Sequence, residues 1–508
     1  MEERVAQEPG VDERQQAEAI AFLRRPGALA PPSQAVQTIS THGAIVFLAG
    51  GHAYKIKRAV RFPYMDFSTL EKRKAALERE LEINRPNAPR LYVGLLPLTR
   101  CADGEIALDG QGEEVEWVLK MRRFDQACLL SHIAGIGGIS PDLAKGLADA
   151  VVAAHASAPV AKRAVASRGL LSVVEELEEA FARLAELGEA AGKPALMRQL
   201  RGRLMSLAPL LEERARAGLV RRCHGDLHLN NIVLIEGRPV LFDALEFDED
   251  LATIDLFYDL AFLLMDLDAR GLRPAANLVL NRYIWLRNEP LDLDGLGLLP
   301  LFLALRAAIR AMIGMGRLAE LSGKAREEAR REAQRLVDAA EAFLAPPPPR
   351  LVAVGGLSGT GKSTLAAALA ARFGAAPGAL HLRSDLERKS LAGASETSRL
   401  PAAGYTQETT ARVYSVLADK AKRALSAGHS VIVDAVFSRE EERAAIEAVA
   451  RDCSVPFNAI WLATGSEALL ARVAARRGDA SDATPDVVER QLARGAGEVK
   501  WTEIDAGG

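Results

Sequence analysis

Cysteine is scarce: Cys101, Cys128, Cys223 and Cys453 are scattered through 508 residues with no CxxC pair. That spacing argues against a disulfide framework and against a cysteine-ligated zinc site, and a reducing, cytoplasmic setting is the expectation. Charge of one sign is also lacking. The formal net charge is −3, so no surplus of positive charge is available for a general nucleic-acid coat. Long apolar runs are missing too. The longest, Gly295 to Leu305, falls short of the roughly 18 residues of a membrane span, and no membrane partner is expected. The first ten residues, MEERVAQEPG, are acidic and without an apolar h-region, so no signal peptide is read. What is present is ordinary for globular protein: 49% hydrophobic and 26% charged residues. This excludes wholesale disorder and leaves room for about two to four domains.

The clearest boundary is Pro346-Pro347-Pro348-Pro349, which cannot continue a helix and favours a stiff extended link. It separates residues 1–345 from 351–508, with 346–350 as the linker. Residues 1–30 read as a polar peripheral arm. A small lobe, about 35–122, carries strand-like runs at Ala44–Leu48, Ala53–Ile56 and Val115–Met121 and one charged helix, Ser68 to Asn84. The larger lobe, about 125–345, is helical by periodicity, with a strand pair at Ile232–Ile235 and Val240–Phe242 and an amphipathic helix at Lys324–Leu344. Beyond the prolines, strands at 351–355, 379–383, 430–434 and 457–463 alternate with helices at 362–373, 405–427, 438–450, 466–477 and 485–494. Such alternation implies crossover connections and a parallel sheet. The expected fold is a two-lobed α+β domain followed by an α/β domain.

The α/β segment holds Gly356-Leu-Ser-Gly359-Thr360-Gly361-Lys362-Ser363-Thr364, a match to G-x4-G-K-[ST] between a strand and a helix. The three glycines let the backbone curl so that its N–H groups face a phosphate, and the helix N-terminus adds favourable partial charge. Lys362 is expected to reach the β- and γ-phosphates of ATP and Ser363 to hold Mg2+. Thr360 and Thr364 belong to the same nucleotide-binding loop. Asp434, at the end of the apolar run Ser430–Val433, stands where an acid would meet the metal or its water; it can equally cap the next helix. Asp385 and Arg388 follow the second strand. On a helix they share one face, as a proton acceptor and a phosphate contact or as a cap and a solvated arginine. Arg472, Arg476 and Arg477 end a helix before Gly-Asp-Ala-Ser-Asp-Ala, as a phosphate-contacting flap or a solvated face.

These elements, GGLSGTGKST, RSDLER, VIVDAVF and RVAARRGDASDA, resemble the P-loop kinase group that contains gluconate-kinase-like, zeta-toxin-like and 5′-polynucleotide-kinase-like enzymes, over about residues 350–495. In the polynucleotide kinases an Asp and an Arg three residues on serve as base and phosphate contact. The resemblance implies those roles for Asp385 and Arg388.

The second signature is His224-Gly-Asp226-Leu-His-Leu-Asn-Asn231, with the Asp-x4-Asn spacing of a kinase catalytic loop. Asp226 would take the acceptor's hydroxyl proton and Asn231 would hold Mg2+. A hairpin centred near Gly237 would bring Asn231 opposite Asp243 as a further metal ligand. His228 reads as a local hydrogen-bonding residue, and Asp255 and Asp259 as caps or braces. A cation is needed on the small lobe, and Lys55 and Lys57 lie on one strand face. Lys55 is preferred for the phosphate, with Glu80 preferred over Glu78 and Glu82 as its helix partner. Together these residues resemble the aminoglycoside-phosphotransferase-like, or protein-kinase-like, fold over about 35–330. The resemblance implies ATP between two lobes with a hinge near Met121–Phe124. No GxGxxG loop precedes Lys55. The whole order resembles bacterial proteins described as bifunctional aminoglycoside phosphotransferase/ATP-binding proteins.

The expected function is a two-headed ATP- and Mg2+-dependent phosphotransferase acting on small-molecule hydroxyls. The alternatives are one catalytic domain with a nucleotide-sensing partner, or phosphorylation of a nucleic-acid 5′ end by the second domain. Residues 350–508 carry a net charge of +1, a weak footprint for a long polyanion, although a short nucleic-acid end would still fit.

Overall fold

The computed structural model describes residues 11–33, 35–41, 43–62, 65–161, 166–186, 194–475 and 478–507. The chain divides into two compact units. One comprises Met1–Gly137, Ser157–Ala161 and Arg221–Ile254, the other Gly138–Ala156, Lys162–Val220 and Asp255–Gly508.

The first unit opens with a helix, α1 (Val11–Arg24), then β1 (Gln37–Ser40), β2 (Ala44–Ala49) and β3 (His52–Lys57). After α2 (Leu70–Asn84) come β4 (Tyr92–Arg100), β5 (Ile106–Leu108) and β6 (Glu113–Arg122). The strands form one antiparallel sheet in the order β1-β2-β3-β6-β4-β5. Strand alternation sends Phe47, Tyr54, Ile56 and Val118 to one face, where Ala19, Phe22 and Leu23 of α1 cover them. The N-terminal helix is therefore not peripheral. Each fully buried side chain of this size contributes about 1.5–3 kcal/mol, enough to fix α1 in place. The opposite face packs Leu48, Ala53, Leu119 and Met121 against Leu77 of α2. Strand β4 was not anticipated because Gly94 and Pro97 interrupt it. A bulge between Tyr92 and Gly94 absorbs the irregularity, and β5 pairs only Leu98–Arg100, leaving the proline outside its reach. A hairpin, β7 (Ile232–Ile235) and β8 (Arg238–Leu241), completes the unit.

The second unit begins with α3 (Pro141–Ser157), α4 (Ala166–Glu186) and α5 (Pro194–Arg216). It continues with α6 (Leu256–Ala269), α7 (Arg273–Arg287), α8 (Leu299–Gly316) and α9 (Gly323–Leu344). The stretch Pro290–Glu320, which contains α8, is long and apolar enough to cross a membrane by composition, and 78% of its apolar window is buried within the protein. It behaves as a core helix, hydrophobic nearly all round because it is covered nearly all round. Asp255 caps α6 by accepting the Phe257 N–H and pairs in two bonds with the buried Arg214.

After the prolines the same unit alternates β9 (Leu351–Gly356), α10 (Lys362–Ala370), β10 (Leu380–Arg383), α11 (Ser384–Leu391) and α12 (Gln407–Ser426). Then follow β11 (Val431–Asp434), α13 (Glu440–Asp452), β12 (Phe457–Ala463), α14 (Ser466–Ala475), α15 (Pro485–Arg494) and β13 (Thr502–Asp505). All pairings are parallel, in the order β10-β11-β9-β12-β13. The central β9 is buried along its whole length, as a parallel sheet covered on both faces requires. Gly356, Asp434 and Arg383 lie at the carboxyl ends of β9, β11 and β10, where open α/β sheets bind ligands.

His429, just before β11, is buried and donates from Nε2 to the Gly378 carbonyl at 2.9 Å. Burial pulls its pKa down from 6.5 to about 4, against the smaller effect of that hydrogen bond. The unfolded chain therefore takes up a proton first as pH falls, and stability declines from about pH 6.5 to about pH 4. At ~1.4 kcal/mol per pKa unit the loss from this residue is of order 3 kcal/mol. Thermal melts of wild type and His429→Gln at pH 7 and pH 5 check this: the melting temperature of the variant is expected to fall less between the two.

Candidate functional site

The loop 224–231 is organised by its first residue. His224 Nε2 lies 3.0 Å from the Phe242 carbonyl oxygen and must carry the hydrogen; Nδ1 then accepts the Asp226 N–H at 3.3 Å. One neutral imidazole thus ties the loop to the hairpin end. Gly225 adopts φ +81°, and a Cβ there would stand 3.1 Å from Leu245, so the turn tolerates little else. Asp226 accepts from Asn231 Nδ2 at 2.8 Å, and the same amide donates to the Asp226 carbonyl at 2.9 Å. His228 Nε2 is 3.4 Å from Asp226 Oδ2. The Asp226 side chain is 40% exposed, accessible to an incoming hydroxyl.

The hairpin register pairs Ile232 with Leu241, and Phe242 N donates to Asn231 O. Asn231 therefore stands opposite Phe242, one residue short of Asp243. The reason is the turn: Glu236 and Gly237 both have positive φ, which makes a two-residue connection. Asp243, itself at φ 60°, points its carboxylate at Lys55 instead.

Five charges then interlock. Lys55 Nζ lies 2.8 Å from Glu80 Oε1 and 2.6 Å from Asp243 Oδ1. Lys57 Nζ lies 2.6 Å from Glu80 Oε2 and also pairs with Glu246. Lys55, Lys57 and Glu80 are almost wholly enclosed, and α2 turns a polar stripe, Arg73, Glu80 and Asn84, inward. Asn84 accepts the Ala244 N–H, and Tyr92 OH accepts the Asp243 N–H, so the backbone after the hairpin is held from two elements. Burial opposes the charge on Lys55, but Asp243 and Glu80 outweigh it and raise its pKa well above the ordinary lysine value. Desolvation likewise opposes ionisation of Asp243, and Lys55 holds it below the usual carboxylate range. Burial pushes Glu246 up, against the pull of Lys57.

In the second unit Gly356, Gly359 and Gly361 all take positive φ. A Cβ on Gly356 would meet the Leu462 carbonyl oxygen at 2.5 Å and one on Gly359 the Leu469 carbonyl oxygen at 2.9 Å; one on Gly361 would meet nothing within 4 Å. Two glycines are thus required by close packing and conformation, the third by conformation alone, at the mouth of the N–H arc. Lys362 Nζ donates to the Leu357 carbonyl at 2.9 Å, as does Thr360 Oγ1. Gln491 of α15 bonds the Ser358 N–H and hydroxyl. Ser363 and Thr364 occupy the first turn of α10. The glycine arc, the lysine and the hydroxyls fit a nucleoside triphosphate with Mg2+; in the first unit the amide, the carboxylates and Lys55 fit the same pair.

Asp434 is buried, 3.5 Å from His381 Nε2 and 3.8 Å from Arg383 Nε. Desolvation opposes its ionisation, and His381 holds it below the usual range. Asp385, in the first turn of α11, is raised instead, by burial first and by the Asp434 charge second. A carboxylate with raised proton affinity suits a proton acceptor. Arg388 is buried and donates to the Gly404 carbonyl at 2.8 Å and to Thr410 Oγ1 at 3.4 Å. Arg472 is exposed and donates to the Ala506 carbonyl at 2.8 Å. Arg476 and Arg477 lie outside the described residues.

Several residues of these sites escaped the sequence reading. Glu246 follows Asp243 at three residues, a spacing with no local meaning until the hairpin is folded. Two acids after α14 also make contacts. Asp482 accepts from Lys389 Nζ, Leu400 N and Tyr405 OH, and Asp479 accepts from Arg383 at 3.0 Å. The paired acids of GDASDA were the available signal.

A small antiparallel sheet with a lysine–glutamate pair and an HGD…N loop, followed by a parallel sheet with a glycine phosphate loop, defines two kinase-like domains in series. Residues 70–292 match the model of the phosphotransferase enzyme family, and residues 351–496 match that of an AAA domain. The chain thus carries a phosphotransferase-family domain with the protein-kinase-like fold, then a P-loop kinase-like domain. An uncharacterized protein of Mycobacterium tuberculosis is 29% identical over 477 residues, 92% of each chain. Similar solved structures include a choline/ethanolamine kinase family protein from Mesorhizobium loti, at 15% identity, covering 66% of this chain and 96% of that one with a TM-score of 0.39. A gluconokinase from Sinorhizobium meliloti is 20% identical, covering 32% and 84% with a TM-score of 0.23.

The charge cluster predicts unequal roles for its two lysines. Lys57→Met leaves Glu80 and Glu246 sharing too little positive charge in a closed site and is expected to cost about 3–5 kcal/mol of stability. Lys55→Met leaves Glu80 paired with Lys57 and is expected to cost less. Denaturant unfolding of both variants checks the order; an equal or reversed cost contradicts it.

Proposed function

We propose that the chain is a two-headed ATP- and Mg2+-dependent phosphotransferase, each domain moving the γ-phosphoryl group of ATP to a hydroxyl of a small molecule. The observation that carries this reading is the gathering of Asp226, Asn231 and the Lys55–Glu80–Asp243 chain at one end of the β7–β8 hairpin. In the first domain Lys55, oriented by Glu80, binds phosphate oxygens, and Asn231 and Asp243 hold the metal. Asp226 orients the acceptor hydroxyl and takes its proton. In the second domain the N–H groups of 356–362 and the Lys362 ammonium bind the phosphates, with Ser363 and Asp434 at the metal. Asp385 takes the acceptor proton there. Mg2+, when bound, neutralises phosphate charge as it develops.

A second reading has a specific support. β2 and β3 are joined by Gly50-Gly51 alone, since Ala49 pairs with His52, and this turn is shorter than a loop that would cover phosphates. The first domain would then sense nucleotide while the second catalyses.

Asp226→Ala and Lys362→Ala are each expected to remove one ATP-consuming activity and leave the other, with a loss of about 10²–10⁴-fold in the affected turnover. ADP release measured for both variants separates the readings. If Asp226→Ala changes nothing while Lys362→Ala abolishes all turnover, the first domain is the sensor.

A further inference from the structure

Helix α7 carries polar side chains at Arg273, Asn277, Asn281 and Trp285, every fourth position, which places them on one stripe. The stripe lies along β10, the edge strand of the parallel sheet. On its inner side β10 is satisfied by β11. On its outer side the backbone is met by amides. Asn277 Nδ2 donates to Ala379 O at 3.0 Å, Asn281 Nδ2 donates to the same carbonyl at 3.3 Å, and Asn281 Oδ1 accepts the His381 N–H at 2.6 Å. Gly378 permits the approach, since a Cβ there would stand 2.8 Å from Asn277 Nδ2.

Covering an edge strand is a general need, but these contacts continue past the strand. Trp285 Nε1 donates to Leu386 O at 3.2 Å, inside α11 and one residue after Asp385. Arg282 pairs with Glu396, beyond α11, at 2.6 Å and with Asp149 of α3 at 2.6 Å, and Lys145 reaches Glu396 at 3.2 Å. Lys420 of α12 joins the C-cap residue Asn288 to Glu387 of α11. The helical segment therefore grips the chain four residues before Asp385, one residue after it and again at Glu396. His381, whose backbone Asn281 fixes, is the residue whose ring faces Asp434.

We propose that Asn281 and Trp285 are positioning residues for the P-loop site: α7 sets the place of Asp385 relative to the phosphate loop, so that transfer at the second site requires the helical segment of the first domain. The proposal rests on the reading of Asp385 as proton acceptor. Neither residue touches the reacting groups; both act through β10 and α11.

The test uses the full chain with Asp226→Ala to silence the first site, ATP as probe and water as acceptor. Trp285→Phe keeps an aromatic ring and removes the N–H donor; Asn281→Ala removes its bonds to Ala379 O and His381 N, together with those to Asn277. Each is expected to lower the turnover number about tenfold with the KM for ATP within about twofold. Amide exchange over residues 380–391 is expected to quicken at least about tenfold, with residues 351–365 unchanged. Unchanged exchange in 380–391, equal loosening of both segments, or quicker exchange with full turnover each overturns the proposal. If the chain with both residues intact shows no turnover that Lys362→Ala removes, the proton-acceptor reading falls, and the exchange pattern alone decides whether α7 holds the element.

Discussion

Two lysines on one face of a closed strand have to be met by carboxylates, and the junction of strand, helix and hairpin in the first unit follows from that requirement. An ammonium without a partner in such a place costs several kcal/mol. Lys55 and Lys57 therefore recruit Glu80 from α2 and Asp243 and Glu246 from the segment after the hairpin. Strand, helix and hairpin are locked by the same bonds that, in the proposed reading, set the electrostatics for phosphate. The loop 224–231 inherits its position, because His224 hangs from Phe242, the residue before Asp243. Stability and chemistry draw on one cluster.

In the proposed reading the second unit would hold phosphate with backbone. Its glycines make an N–H arc by conformation, and the charges stand at the carboxyl ends of β9, β10 and β11. There a buried carboxylate and a half-buried one differ in behaviour: His381 holds Asp434 below the usual carboxylate range, while desolvation and the Asp434 charge push Asp385 up. Paired acids with opposed shifts are a common way to divide metal-holding from proton-accepting duty.

What could be read from sequence was what is local or has fixed spacing. The glycine loop, the Asp226–Asn231 spacing and the strand–helix alternation are properties of a few consecutive residues. The Lys55–Glu80 pair was a preference among Glu78, Glu80 and Glu82, drawn from the kinase-like pattern of a strand lysine met by a helix glutamate. The hairpin partner was misplaced by one residue because Glu236-Gly237 forms the turn without the usual Asn-Gly signature. Glu246, Asn84 and Tyr92 acquire roles only once strand, helix and hairpin converge. The role of the Asn277-Asn281-Trp285 stripe has no signal in the sequence, since nothing within α7 indicates that a sheet edge lies beside it. The N-terminal helix was judged by its polar average, whereas three apolar residues in one turn and a half anchor it.

The four prolines mark a change of pattern without marking a mechanical joint. Helices α3 to α9 and the P-loop sheet fall in one compact unit, while the sheet and loops of the first site fall in the other. A chain severed at the prolines would leave the outer backbone groups of β10 bare, a template for pairing with other strands, and α7 with carboxamides facing no partner. Gene fission at that point would thus yield two sticky fragments, and insertion or duplication of the P-loop half alone would meet the same penalty. The prolines join two sequence patterns whose helices and parallel sheet share one compact unit.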